Sequence, residues 1–129
     1  MQILVVAHGR LAENLVLSAK MILGDVTDDV HFVNMVPDIT PETFSDEVRI
    51  ILDAHKGDDF LVLADLFGAS PCNTSIITFR NTSYRLVTGS NLPMLIEAIM
   101  NKDDMPLDEL WEYVQTIGKN SVRGIHLTD

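Results

Sequence analysis

The chain has 129 residues, 47% of them hydrophobic, a length that fits one domain with a core of ordinary size. Its 19 acidic and 9 basic residues give a formal net charge of -10, which argues against binding to nucleic acid or to anionic membrane surfaces. The one cysteine, Cys72, excludes an internal disulfide framework, and no Cys/His cluster has the spacing of a zinc site, so we expect Cys72 to be a small, mostly buried apolar residue.

The sequence favours a protein that is not inserted in a membrane. No apolar run approaches the roughly 20 residues that a membrane-spanning helix needs. The N-terminus also lacks a basic segment followed by an apolar, signal-like stretch. Because no repeat, linker or low-complexity segment divides the sequence, we expect one cytoplasmic domain over residues 1–129.

The first predicted element is an apolar run, Gln2–Ala7, that stops at His8 and Gly9. Such a run is typical of a strand that is buried on both faces of a sheet. The first polar side chain after a strand of this kind lies at the carboxyl end of the strand, where α/β proteins bind their ligands. His8 is therefore the first candidate functional residue.

Helices and strands alternate along the rest of the chain, as judged from apolar residues at helical spacing and from short apolar or β-branched runs. The pairs Thr40-Pro41 and Ser70-Pro71 each indicate an N-cap followed by the first residue of a helix. The predicted elements after the first strand are a helix over Arg10–Leu23, a strand over Val30–Met35, a helix from Pro41 to Lys56-Gly57, a strand over Phe60–Ala64, a helix from Pro71 to about Arg80, a strand over Tyr84–Thr88, a helix over Leu92–Met100, a helix over Leu107–Ile117 that ends at Gly118, and a fifth strand over Val122–Leu127.

This alternation predicts an α/β fold, a doubly wound and mostly parallel sheet joined by right-handed crossovers. In the common strand order 2-1-3-4, a crevice opens between strands 1 and 3, where the connections leave in opposite directions. The third strand stops at Asp65, just as the first stops at His8. We therefore expect His8 and Asp65 to meet at the carboxyl edge of the sheet.

Asp65 gives His8 a possible chemical role. A carboxylate that accepts a hydrogen bond from Nδ1 fixes the tautomer of the ring and leaves Nε2 as an oriented nucleophile or base. The loop Gly68-Ala69-Ser70-Pro71 leads into a helix N-terminus, where backbone N–H groups and a hydroxyl can bind an anion. Structural interpretations stay open: His8 as a surface residue, Asp65 as a turn residue and Ser70 as a simple N-cap.

Three motifs follow the first, third and fourth predicted strands. Together they resemble the EIIA domain of the mannose family of the bacterial phosphoenolpyruvate:sugar phosphotransferase system, in the right order and at the right spacing over nearly the whole chain. The motifs are Ala7-His8-Gly9, Asp65-Leu66-Phe67-Gly68-Ala69-Ser70-Pro71 and Thr88-Gly89-Ser90-Asn91-Leu92-Pro93-Met94-Leu95.

The resemblance implies an EIIA phosphotransferase component with a phosphohistidine intermediate. It implies that His8 accepts phosphate at Nε2 from the phosphocarrier HPr and passes it to the IIB component, which serves the membrane components IIC and IID. It further implies that Asp65 orients the ring. The residues expected to line the phosphate site are Gly9, Gly68, Ala69 and Ser70. No metal or nucleotide cofactor is implied.

The resemblance also implies a homodimer, in which Val122–Leu127 is added to the sheet as an antiparallel strand exchanged between subunits. Two positions depart from the commoner family pattern. Ala69 stands where a second glycine is frequent, so its methyl group is expected to narrow the approach of phosphate or to restrict the backbone of the loop. Cys72 stands where phenylalanine is frequent, which is expected to reduce the apolar contact surface for a partner.

Two alternative functions are compatible with the same fold. The first is the EIIA-like subunit of a phosphoenolpyruvate-dependent dihydroxyacetone kinase, although the matches over Asp65–Pro71 and Asn91–Leu95 favour the sugar-transport branch. The second is a regulatory module that binds a partner in the crevice without catalysis. The identity of the sugar is not expected to be encoded here, because a phosphate relay need not contact the sugar.

Overall fold

A four-stranded parallel sheet with the order β2-β1-β3-β4 forms the centre of the molecule. The computed structural model describes residues 1–128. Its elements are β1 (Gln2–His8), α1 (Leu11–Leu23), a short 3-10 helix (Gly24–Thr27), β2 (His31–Met35), α2 (Pro41–Ala54), β3 (Phe60–Ala64), α3 (Ser70–Thr78), β4 (Tyr84–Val87), α4 (Leu92–Asn101) and α5 (Leu107–Asn120).

The register of the strands brings the ends of β1 and β3 together. Val6 of β1 lies opposite Ala64, the last residue of β3. His8 lies opposite Met35, the last residue of β2. All three ladders of the sheet are parallel, so these residues share its carboxyl edge. The predicted strand order is confirmed.

Two apolar layers cover the sheet because successive side chains of a strand point to opposite faces. Ile3 and Val5 of β1 pack with residues of α1, α4 and α5. Leu4 and Val6 pack on the other face with α2, α3 and the residues that follow α3. Each fully buried Val, Leu or Ile contributes about 1.5–3 kcal/mol to folding, and the interiors of β1 and β3 contain only apolar residues.

The helix starts follow local capping chemistry, with one correction. Thr40 caps α2, as predicted, and its Oγ1 accepts a hydrogen bond from Thr43 N at 3.1 Å. The prediction that Ser70 caps α3 is wrong. Ala69 is the N-cap and Ser70 the first helical residue, because the carbonyl of Ala69 already accepts the hydrogen bond of Asn73 N at 2.9 Å.

The prediction that Gly118 ends the last helix is also wrong, since α5 continues to Asn120. Gly118 is buried against α4. A Cβ atom at this position would lie 2.5 Å from Sδ of Met94 and 2.8 Å from its Cγ. The glycine therefore permits close packing of α5 on α4 and does not terminate the helix.

The predicted fifth strand, Val122–Leu127, is wrong for the single chain. No residue in the range 122–128 belongs to a strand, and the sheet of the described residues is wholly parallel. Val122, Ile125 and Leu127 are exposed. A strand forms only where its backbone groups pair with another strand, and this segment pairs with none in its own chain.

Candidate functional site

The carboxyl edge of the sheet holds His8 against Asp65, as the sequence predicts. His8 Nδ1 lies 2.8 Å from Asp65 Oδ2, and the same oxygen accepts the backbone N–H of His8 at 3.0 Å. The other carboxylate oxygen, Oδ1, accepts the backbone N–H of Leu66 at 2.9 Å. Three hydrogen bonds therefore fix the carboxylate and, through it, the imidazole ring.

The two side chains differ in their access to solvent. The His8 side chain is 49% exposed, whereas that of Asp65 is 13% exposed. Among the described residues, Nε2 of His8 has no hydrogen-bond partner. The ring is thus held from behind at Nδ1 and is open to a reactant at Nε2.

The protonation of Asp65 follows from its surroundings. Burial acts to raise the pKa of Asp65. The hydrogen bonds from the backbone and ring of His8, the charge of His8 and the hydrogen bond from Leu66 N–H act against burial, and together they leave the pKa below its usual value. Asp65 is therefore an ionised acceptor near neutral pH. A neutral His8 ring then carries its proton on Nδ1 and presents a lone pair on Nε2.

Two glycines shape the loops around this pair. Gly9 has a φ of +59°, and Gly68 has a φ of +75°, a left-handed conformation that side chains disfavour. Gly9 turns the chain out of β1, and its N–H donates to the carbonyl of Met35 at 2.9 Å. The Gly68 carbonyl accepts a hydrogen bond from the side chain of Asn73 at 2.8 Å, which joins the loop to α3.

The remaining predicted site residues lie in the loop that follows β3. Ser70 is exposed at the start of α3 and forms no hydrogen bond with His8 or Asp65 within residues 1–128. Ala69 has φ -85° and ψ 172°, an ordinary extended backbone. The methyl group therefore causes no backbone strain in this loop, because any residue adopts these angles. Its effect on the approach of phosphate stays a prediction.

The apolar residues near the site fall into two groups. Cys72 is buried, as predicted. The expectation that a cysteine in place of phenylalanine leaves a smaller contact surface for a partner stays a prediction. Leu66 and Phe67, in contrast, are 60% and 85% exposed directly after Asp65. Sequence reasoning treated this segment only as a loop. The sequence feature that indicates a contact site in this loop is the pair of large apolar residues, because exposed apolar clusters mark contact sites for other proteins.

The third motif, which begins at Thr88 after β4, holds the end of β3 in place through backbone hydrogen bonds. The N–H of Gly89 donates to the carbonyl of Asp65 at 3.0 Å, and the N–H of Ser90 donates to the carbonyl of Ala64 at 3.1 Å. The loop after β4 is thereby attached to the end of β3. This role of Gly89 has no signal in the sequence beyond its place in a turn.

The fold and the site together define an α/β protein with a carboxylate-oriented imidazole at the carboxyl edge of a doubly wound parallel sheet. Comparison with known proteins supplies the family. The model of the family described as PTS system fructose IIA component matches residues 2–115. The chain belongs to this family, the mannose-type EIIA components of the phosphotransferase system.

Individual relatives agree with this assignment. The chain is 35% identical over 128 residues to the PTS system mannose-specific EIIAB component of Escherichia coli strain K12, which covers 95% of this chain and 39% of that protein. It thus spans about two fifths of that relative. The PTS system sorbose-specific EIIA component of Klebsiella pneumoniae is 28% identical over 112 residues, which covers 86% of this chain and 82% of that protein.

A solved structure shows the same architecture. The mannose/sorbose specific IIA subunit of the phosphotransferase system from Enterococcus faecalis superposes with a TM-score of 0.91 at 32% identity, covering 99% of this chain and 96% of that chain. Among residues 1–128, no helix combines the length and apolar character needed to cross a bilayer.

Proposed function

We propose that this chain is a cytoplasmic phosphoryl carrier in sugar uptake, which accepts phosphate from phospho-HPr on His8 and passes it to a IIB component. The observation that carries the proposal is the 2.8 Å contact between His8 Nδ1 and Asp65 Oδ2 on a half-exposed ring. The membership of the chain in the EIIA family supports the choice of partners.

The proposed chemistry is an in-line displacement at phosphorus. The lone pair of His8 Nε2 attacks the phosphoryl group, and the phosphorus–nitrogen bond to the donor histidine breaks, leaving its electron pair on the donor imidazole. Positive charge then develops on the His8 ring, and the ionised Asp65 stabilises it through Nδ1–H. Transfer to the IIB component repeats the displacement with His8 as the leaving group.

The loop between β3 and α3 is proposed to receive the phosphoryl oxygens. Gly68, Ala69 and Ser70 lie at the N-terminus of α3, where the helix dipole favours negative charge. The N–H of Ala69 donates to the carbonyl of Leu66 at 3.4 Å, so it is not among the free donors. Gly9, adjacent to His8, carries no side chain and turns the backbone with a φ of +59°. The exposed Leu66 and Phe67 offer an apolar contact to the partner that carries or receives the phosphate.

We also propose that the protein acts as a homodimer. A groove of about 860 Å³ runs beside β4, and its lining includes Leu86, Val87, Gln115 and Val122. The β4 strand is an edge strand with one unpaired side. Residues 122–128 have no strand partner in their own chain, so pairing of this segment with β4 of a second copy covers both the apolar side chains and the open edge.

Phosphorylation with purified components tests the proposed function. Incubation with phosphoenolpyruvate, the general phosphotransferase enzyme and HPr is expected to place an acid-labile, base-stable phosphate on the chain. His8→Ala is expected to abolish labelling, while His55→Gln, which changes a histidine at the end of α2, keeps it. Unchanged labelling of His8→Ala would exclude His8 as the acceptor.

A second step separates a carrier from a regulatory module. The phosphorylated protein is isolated and mixed with a purified IIB component of the mannose family. Loss of phosphate from this chain with its appearance on IIB is the expected result. Stable retention of the phosphate in the presence of IIB would instead favour the module that binds without passing phosphate on.

A further inference from the structure

A pocket lined mostly by polar and charged residues lies at the opposite edge of the sheet from His8. Its volume is about 400 Å³, and it is formed by the end of α2, the loop into β3 and the segment between α3 and β4. These segments precede β3 and β4, whereas His8 ends β1, and the strands are parallel. The pocket is therefore separate from the phosphohistidine site.

Basic residues are concentrated at this pocket despite the acidic character of the chain. Three of the 9 Lys and Arg residues, Arg49, Lys56 and Arg80, line it. Within residues 1–128, none of the three forms an ion pair. Four other basic residues do form ion pairs: Arg10, Lys20, Arg85 and Lys102.

The acidic residues of the pocket leave these cations available. Asp58 is already engaged, because its Oδ2 accepts a hydrogen bond from Gln2 Nε2 at 3.0 Å and lies 3.7 Å from His55 Nδ1. Asp53 follows Arg49 by four residues on α2, a spacing at which helical ion pairs form. The described residues nevertheless contain no ion pair between Asp53 and Arg49.

The wall of the pocket is held in place by internal hydrogen bonds. Thr82 Oγ1 donates to the carbonyl of Phe79 at 2.7 Å, and Ser83 Oγ donates to Asp59 Oδ1 at 2.5 Å. Since these hydroxyl protons are used internally, the groups left to meet a ligand are the guanidinium and ammonium groups and the side-chain amide of Asn81.

We propose that this pocket binds a small phosphate monoester or free phosphate through Arg49, Lys56 and Arg80. Arginine donates two parallel N–H groups to phosphate oxygens, and lysine adds a compact positive charge. The pocket volume falls in the range of small-molecule sites. The site does not include His8, so a test of this pocket is independent of a test of the proposed phosphoryl transfer.

Titration of the full chain, followed by two-dimensional amide NMR, tests the proposal with two probes, inorganic phosphate and glucose 6-phosphate. Saturable shifts are expected at the amides of residues 56–58 and 81–83. Arg80→Gln and Arg49→Gln are each expected to weaken binding about tenfold, because each removes a charge-assisted hydrogen bond. The matched control Lys20→Gln loses the same charge on α1, outside the pocket, and is expected to bind as the parent chain does.

The two probes identify the ligand. Tighter binding of glucose 6-phosphate supports a phosphate monoester, and equal binding supports recognition of the phosphoryl group alone. The proposal is overturned if no saturable shift occurs at these amides up to about 20 mM, if shifts appear only around His8, or if Lys20→Gln weakens binding equally. Lower thermal stability of the arginine variants with unchanged binding would also overturn the proposal, because it would assign the two arginines a structural role instead.

Discussion

At the scale of single residues, Asp65 accepts hydrogen bonds from both the backbone and the ring of His8 through one oxygen. The ring therefore has a fixed position relative to its own main chain, and rotation of the side chain would break a charge-assisted hydrogen bond. The bond from Leu66 N–H to the second oxygen prevents the carboxylate from turning away. In the proposed reaction, Nε2 is thus aimed before a donor arrives, which lowers the entropic barrier to transfer.

Replacement of Asp65 by asparagine tests this orientation. The amide carries no charge and can present its NH₂ group to Nδ1, which would favour the tautomer with the proton on Nε2. We expect the initial rate of phosphorylation by phospho-HPr to fall by about a hundredfold or more. Asp38→Asn, in an exposed turn, is the matched control. An unchanged rate in Asp65→Asn would contradict a role for the carboxylate.

At the scale of elements, the sequence predicted most of the fold from its apolar pattern. The runs Gln2–Ala7 and Phe60–Ala64 predict buried strands because no polar residue interrupts them, and their last residues then place His8 and Asp65 on one edge. The wrong predictions concern helix ends and strands whose existence depends on tertiary contacts. Gly118 is a packing residue within α5, where it lies against Met94, a neighbour that the local sequence does not reveal.

The close contact between α4 and α5 gives a prediction about stability. Gly118→Ala would place a Cβ atom 2.5 Å from Met94 Sδ, so we expect a loss of about 1–3 kcal/mol in the free energy of unfolding from overpacking. Urea denaturation measures it. In a Met94→Ala background the same substitution is expected to cost less, because the clashing atoms are absent. Equal costs in both backgrounds would show that another feature makes the glycine necessary.

The start of β2 gives a prediction about pH. Burial and the positive charge of His55, whose ring centroid lies 4.9 Å away, lower the pKa of His31, with Lys102 acting in the same direction and Asp29 opposing it. A lowered pKa in the folded state means that stability is present above the unfolded pKa of about 6.5. That stability is lost as the pH falls through the folded-state pKa.

We therefore expect the free energy of unfolding to fall between about pH 7 and pH 5, and to fall less steeply in His31→Gln. His126→Gln, which removes an exposed histidine, serves as the control and is expected to retain the slope of the parent chain. Urea denaturation at a series of pH values measures the slopes. If His31→Gln keeps the full slope, the titration of His31 does not govern stability in this range.

At the scale of the whole molecule, the tail after Asn120 is the segment whose apolar side chains stay exposed and whose backbone joins no strand in the described chain. The branched residues of Val122–Leu127 predicted a strand, but a strand is defined by its partner, and the partner does not lie within the described chain. In the proposed homodimer, the exposed Val122, Ile125 and Leu127 of one chain pack on the open side of β4 of the other. Local sequence cannot specify whether a contact is made within a chain or between chains.

Removal of residues 122–129 tests this contact. The truncated chain is expected to sediment as a monomer, whereas the parent chain sediments as a dimer, because the shortened chain cannot cover β4 of a second copy. Phosphorylation of His8 is expected to persist at a reduced or similar rate, since its hydrogen bonds to Asp65 involve residues outside the tail. A parent chain that is monomeric at working concentration would contradict the homodimer.

The single open nitrogen of His8 has a consequence for the order of events in the proposed relay. Because Nδ1 is engaged with Asp65, only Nε2 can form and break a bond to phosphorus. In the proposed relay, the donor therefore has to dissociate before the acceptor binds, and HPr and IIB compete for the same nitrogen atom. At high concentrations of either partner, the flux of phosphate should decline, because the excess partner occupies the site and prevents the other from binding.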